Sequence, residues 1–392
     1  MSTITTSIRD TIENAIVEMG YTHKERLQVV KGLWVALVAQ QHMLMLGPGG
    51  TGKSFMCRDL ATRVEDSTYF ETALDETSDP GQVFGPVDIA AMKDEGKYRR
   101  RIEGMLPEAD IAFIDEFFNA NGPTLHGMMP ILNERLYHNN GQPMKTPLWS
   151  AFMGTNKLNA DTDQAATWDR IHLRFVVKYV AERDNIRDMV AESIRRRITG
   201  YAEPPKASIG LDDLKTAHNE AMQLEIPDNA WETFLDIKDE LLHNGVEVSS
   251  RRLAEGMAAV LANAWLNGHD QVTVGDMDVL QHMWWTFQAD IETVQKIILG
   301  ATNPGEKAAL EFLDELEQYR ANLRSAEQRD LDDTKKRLIG MEVFKNSKRI
   351  MGEADDLEEK AKAAGASTAR IDELRERTQA LMNHVQSEFF GL

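Results

Sequence analysis

The sequence predicts an α/β layered domain with a mostly parallel sheet, followed by an all-helical region and a charged helical tail. Short apolar runs alternate with helical or loop stretches between residues 43 and 180. A glycine-rich turn joins the first of those runs to a helix at residues 47–54. Beyond Pro204, Pro205 and Gly210 the pattern shifts to helical spacing alone.

Residues 6–39 read as helices, because Leu27, Val30, Leu33, Trp34, Leu37 and Val38 recur at helical spacing. The strand candidates follow: Met43 to Leu46, Tyr69 to Ala73, Ile111 to Ile114, Trp149 to Met153 and Leu173 to Tyr179. In the helical region, Thr273 and Asp276 form a capping box ahead of Val279, Leu280 and Met283. After Gly300, Pro304 and Gly305 two long helical stretches are expected, roughly 305–340 and 350–389. The second carries a stripe of Ile371, Leu374, Leu381, Val385 and Phe389, and two such helices make an antiparallel hairpin. That hairpin is either packing within the subunit or an arm for a partner. The expected division is 1–180, 181–300 and 301–392.

At 392 residues the chain suits two or three domains, with 42% hydrophobic and 27% charged residues as in soluble globular proteins. A formal charge of −19 works against non-specific binding to nucleic acid and favours a protein partner. Cys57 is the one cysteine, so neither an internal disulfide nor a cysteine-built zinc site is expected. No signal peptide or membrane span is read, which makes the cytoplasm the expected location.

Gly47-Pro48-Gly49-Gly50-Thr51-Gly52-Lys53-Ser54 satisfies the G-x-x-x-x-G-K-[ST] pattern between a strand and a helix. Its glycines let main-chain N–H groups surround phosphate oxygens, and the helix that follows points its positive end at them. Lys53 adds a charge near the β- and γ-phosphates, and the Ser54 hydroxyl is a Mg²⁺ ligand. Ile111 to Ile114 ends in Asp115 and Glu116, which sets Asp115 beside the metal and Glu116 where it polarises a water. The double acid favours hydrolysis over mere binding. Leu148 to Asn156 is a third apolar strand closed by a polar amide.

Asp79 to Val87, Lys93 to Tyr98, Gly104 to Ala109, Leu132 to Arg135 and Trp168 to Arg174 closely resemble the MoxR family of AAA+ proteins, within it the RavA branch. The helical region, with Ser249 to Arg252 and Asn267 to Thr273, is similar to the family's lid. The resemblance implies an ATPase that uses ATP and Mg²⁺, acts as a ring, usually a hexamer, and remodels a protein partner. A von Willebrand factor A-domain protein is the implied partner. In the same family arrangement the Leu148–Asn156 strand lies between the other two, and Asn156 is the sensor-1 residue. Arg170 matches the arginine finger, and Arg251 matches sensor 2, with Arg252 equally legal by spacing. Residues 79–106 fall where the family carries an insertion facing substrate, so Arg99 to Arg101 are either a substrate contact or a solvated face. Gly49 stands where many relatives have proline. The tail lacks a sign of the small β domain of RavA proteins. A chelatase-type motor subunit, a nucleic-acid motor and a nucleotide-gated assembly protein with little turnover are the alternatives.

Overall fold

The computed structural model describes residues 7–156, 169–199, 205–328, 333–363 and 368–390. Helices α1 (Ile8–Thr22) and α2 (Leu27–Val38) lead into strand β1 (Met43–Leu46). Ser7 and Asp10 close a capping box at the start of α1. The phosphate-loop helix α3 (Lys53–Thr62), a two-residue β2 (Val64–Glu65) and β3 (Tyr69–Ala73) follow. After short helices α4 (Gly81–Phe84) and α5 (Ile89–Asp94) come β4 (Ile111–Asp115), α6 (Gly122–Glu134), β5 (Leu136–Asn139), β6 (Gln142–Lys145), β7 (Ser150–Thr155) and β8 (Leu173–Val176).

Five strands form one all-parallel sheet in the order β3-β4-β7-β1-β8. Alternate side chains along a strand leave opposite faces, so each central strand feeds two apolar layers. Met43, Met45, Ile111, Phe113 and Phe152 join the layer that holds α2. Leu44, Ala112, Ile114, Ala151 and Met153 join the layer that holds α6. Helix α2 is apolar nearly all round because it is covered on both sides. Gly32 permits that cover: a Cβ there would stand 2.3 Å from the Phe175 ring.

Helix α7 (Arg183–Thr199) leaves the sheet, and β9 (Ile209–Gly210) pairs with β2. Helices α8 (Leu211–Ala221), α9 (Asp228–His243) and α10 (Ser250–Leu266), a 3-10 segment Val274–His282 and α11 (Ile291–Thr302) complete the helical region. Thr273 and Asp276 form the expected capping box, although the segment they open is 3-10 rather than α. The apolar core of this region is continuous with that around α1 and α2, and it includes Trp34, Trp265, Trp284 and Trp285.

The tail is helical, as expected, but folds as α12 (Pro304–Gln328), α13 (Asp333–Ala363) and α14 (Ala369–Val385), three helices around their own core rather than a two-helix hairpin. The expected break at 340–350 does not occur. Gly340 lies inside α13 and lets Phe389 approach to 2.9 Å of where its Cβ would lie. Among the described residues, no helix is long and apolar enough to cross a membrane.

Buried imidazoles give the fold an acid limit. Burial holds His282, stacked on Phe175, down at about 3, and His172 at about 4. Both stay neutral in the fold yet protonate in the unfolded chain below about 6.5, so each contributes stability above that pH and loses it as pH falls. Asp278, pushed up to about 7 by burial, titrates in the opposite sense. His282→Phe keeps the stack and removes one of these groups. Its unfolding free energy is expected to fall less on acidification than the wild type's, by about 1.4 kcal/mol per pH unit between about 6.5 and 3, as denaturant titrations at several pH values would show.

Candidate active site

In a parallel sheet the carboxyl ends of all strands lie on one edge, which is where such folds bind ligands. β7 lies between β1 and β4, so the segments after Leu46, Ile114 and Thr155 are neighbours at that edge. The Gly47 N–H donates to the Thr155 carbonyl at 2.9 Å, which extends the ladder into the loop. A Cβ on Gly47 would stand 2.1 Å from the Val177 carbonyl oxygen, so only glycine fits between two strands there.

Gly50 and Gly52 take φ of 78° and 85°, and built Cβ atoms at Gly49, Gly50 and Gly52 meet nothing within 4 Å. Among the described residues, the N–H groups of Gly49, Gly50, Gly52, Lys53 and Ser54 have no acceptor. An open concavity lined by unpaired donors at a helix N-terminus fits an anionic phosphate chain. Lys53 is buried and folds back on the loop, donating from Nζ to the carbonyls of Gly47 at 2.8 Å and Pro48 at 3.2 Å.

Asp115 lies at the end of β4 and Glu116 directly after it, with the Glu116 N–H donating to Asp115 Oδ1 at 3.0 Å. Glu116 takes a left-handed φ of 51°, a conformation that costs a non-glycine residue about 1–2 kcal/mol. Asn119 Nδ2 donates to Glu116 Oε2 at 3.1 Å and fixes its carboxylate. Asn156 follows β7 and is exposed. One hydroxyl, Ser54, and one carboxylate, Asp115, suit Mg²⁺, which takes few protein ligands beside phosphate oxygens.

Gly154 is a site residue that the sequence did not single out. A Cβ there would stand 2.2 Å from Asp115 Oδ1 and 3.2 Å from Lys53 Cε, so its bareness is what seats both side chains. Gly154→Ala is expected to keep the fold but weaken MgATP binding about tenfold or more, since overpacking costs about 1–3 kcal/mol. Calorimetric titration of the variant checks this. Arg26 was also missed: buried, it donates to the carbonyls of Thr51 at 3.0 Å and Lys178 at 2.6 Å, tying the loop to the exit of β8. Tyr179 adds a hydroxyl bond to the Gly49 carbonyl at 3.0 Å.

The helical region reaches the edge through the Asp-Arg pair. Asp169 accepts from Ser249 Oγ at 2.8 Å and lies 3.1 Å from Arg252 Nε, and Arg252 also donates to Thr286 Oγ1. Arg252 is thereby buried as a strut, whereas Arg251 beside it is exposed. Arg170 is half-buried next to Asp169. Of the arginine cluster, Arg99 and Arg101 lie 3.1 and 3.6 Å from the Asp88 carboxylate, and Arg100 donates to the Gly85 carbonyl. Those contacts brace the insertion against itself. Cys57 is fully buried and burial pushes its thiol well up, which leaves it inert.

Residues 10–216 match a family model described as the MoxR domain in MoxR–vWA–β-propeller ternary systems. The chain belongs to the MoxR family of AAA+ ATPases. Residues 230–298 match the AAA lid domain. Two uncharacterized proteins of Methanocaldococcus jannaschii are similar, one 28% identical over 96% of this chain and 97% of its own length, the other 30% identical over 76% and 78%. A structural protein of Acidianus two-tailed virus is 26% identical over 44% of this MoxR chain and 29% of its own. Among solved structures, a Cytophaga hutchinsonii protein described as a candidate ATPase superposes with a TM-score of 0.59 at 14% identity, covering 76% of this chain and 95% of that one. That likeness is one of fold.

Proposed function

We propose that this MoxR protein hydrolyses ATP with Mg²⁺ and uses the cycle to remodel or activate a protein partner, working as a ring. The observation that carries the reading is the open, donor-lined loop from Gly47 to Ser54 beside the paired acids Asp115 and Glu116. Loop amides and Lys53 hold the β- and γ-phosphates, for which Lys53 must leave its loop carbonyls. Ser54 and Asp115 would hold Mg²⁺, which would supply positive charge against the phosphates. Glu116 accepts a proton from the attacking water, and Asn156 orients that water or the γ-phosphate. Arg170 acts on the site of a neighbouring subunit, and Arg251 closes the lid on its own subunit's nucleotide. The buried pairing of Arg252 with Asp169 supports Arg251 over Arg252 for that second role.

We assign residues 1–180 to the ATPase core, 181–300 to the lid and 301–392 to the helical arm. The MoxR–vWA description of the matching family model supports a von Willebrand factor A-domain protein as the partner. The RavA likeness rests on the motifs of residues 79–174. Calorimetric titration of the purified chain with MgATP tests the reading, and an absence of binding overturns it.

A further inference from the structure

Helix α7 is a 17-residue helix in which none of the side chains of residues 183–198 is buried. Ile186, Met189, Val190, Ile194 and Ile198 recur at three- and four-residue spacing, so they line one face, and their exposure runs from 38% to 79%. Short helices draw most of their stability from packing an apolar face. Among the described residues α7 is held by Arg196, 4.8 Å over the Phe55 ring, by Asp188, 3.6 Å from Lys24, and by Asn185, which donates to Glu25.

A second bare stripe lies on α9. Its inner residues Ala230, Phe234, Ile237 and Leu241 fill the core, while Trp231, Leu235 and Leu242 face outward, 41% to 53% exposed. The two helices carry opposite charge. α7 has five arginines against three acids, in a chain of net charge −19, and α9 has five acids against one lysine. Like-with-like pairing of either stripe sets equal charges against each other, whereas α7 against α9 sets opposite charges around a shared apolar seam. They also match in length, at about 24–26 Å by the rise of an α-helix.

We propose that α7 of one copy docks on α9 of a second copy of this chain. The contact is heterologous, joining different surfaces head to tail, and such contacts close into rings or run on as filaments. Because α7 lies against Phe55, two residues into the phosphate-loop helix, a docked neighbour stands beside the phosphate site. This deepens the ring reading above, on which it rests for its consequence but not for its geometry.

Ile194→Glu and Leu235→Glu test it by light-scattering mass in MgATP. The wild type is expected as an oligomer and each variant as a monomer with an unchanged melting temperature. An equimolar mixture of the two variants is expected to form a one-to-one heterodimer, because one retains an intact α9 and the other an intact α7. A monomeric wild type, variants of wild-type mass, or a mixture that stays monomeric would each overturn the docking. A dimer of Leu235→Glu alone would show α7 pairing with itself and likewise overturn it. Calorimetry on the same samples is expected to give equal MgATP affinity throughout; no affinity in the wild type sinks the ATPase reading while the masses still decide the docking.

Discussion

Glu116→Gln is expected to bind MgATP as the wild type does and to turn it over about 10²–10⁴-fold more slowly, the usual worth of a placed general base. The substitution is nearly isosteric, so the strained left-handed turn and the bond from Asn119 survive it. Lost is the charge that, in the proposed reading, accepts the proton from water. Binding is expected to stay because the proposed phosphate holders, the loop amides and Lys53, make no bond to Glu116 among the described residues. Paired measurements separate the roles: calorimetry for affinity and phosphate release for turnover. Equal loss of both would make Glu116 a structural residue, and retained hydrolysis would remove it from the chemistry.

The strands were legible because each is a short apolar run ending in a residue that cannot continue it. Met43–Leu46 and Tyr69–Ala73 have the expected bounds, since glycines close the first and a charged loop the second. The hairpin of β5 and β6 carried a signal that went unread. Asn140 and Gly141 at its tip take φ of 55° and 72°, the paired left-handed conformation that an Asn-Gly turn supplies. Other features had no local signal. Gly154 matters because of Asp115 and Lys53, which reach it across neighbouring strands, and Arg26 matters because of Thr51 and Lys178. Arg251 and Arg252 are equivalent by spacing and become distinct only when Asp169, 83 residues before Arg252, takes one of them. The three-helix tail was misread because its helical spacing does not mark where one helix ends: residues 340–350 lie inside α13, where Gly340 admits Phe389.

Arg170→Ala should abolish turnover by the same logic, yet in a way that a second defective subunit repairs. An arginine that stabilises charge on a transferring phosphoryl group contributes about 10³–10⁵-fold in rate. Asp169, its neighbour in the chain, is engaged by Ser249 and Arg252 of the helical region, which anchors the start of the segment carrying Arg170. Lys53→Ala subunits lack phosphate binding but keep Arg170; Arg170→Ala subunits keep the phosphate loop. In mixed assemblies some interfaces set an intact loop against an intact arginine, so the mixture is expected to regain part of the phosphate release that both parents lack. Action within one subunit allows no such repair, because every subunit is then defective in itself. Persistent inactivity in assemblies shown by mass to be mixed would therefore return Arg170 to its own chain, and the requirement for a neighbour at the active site would fall with it.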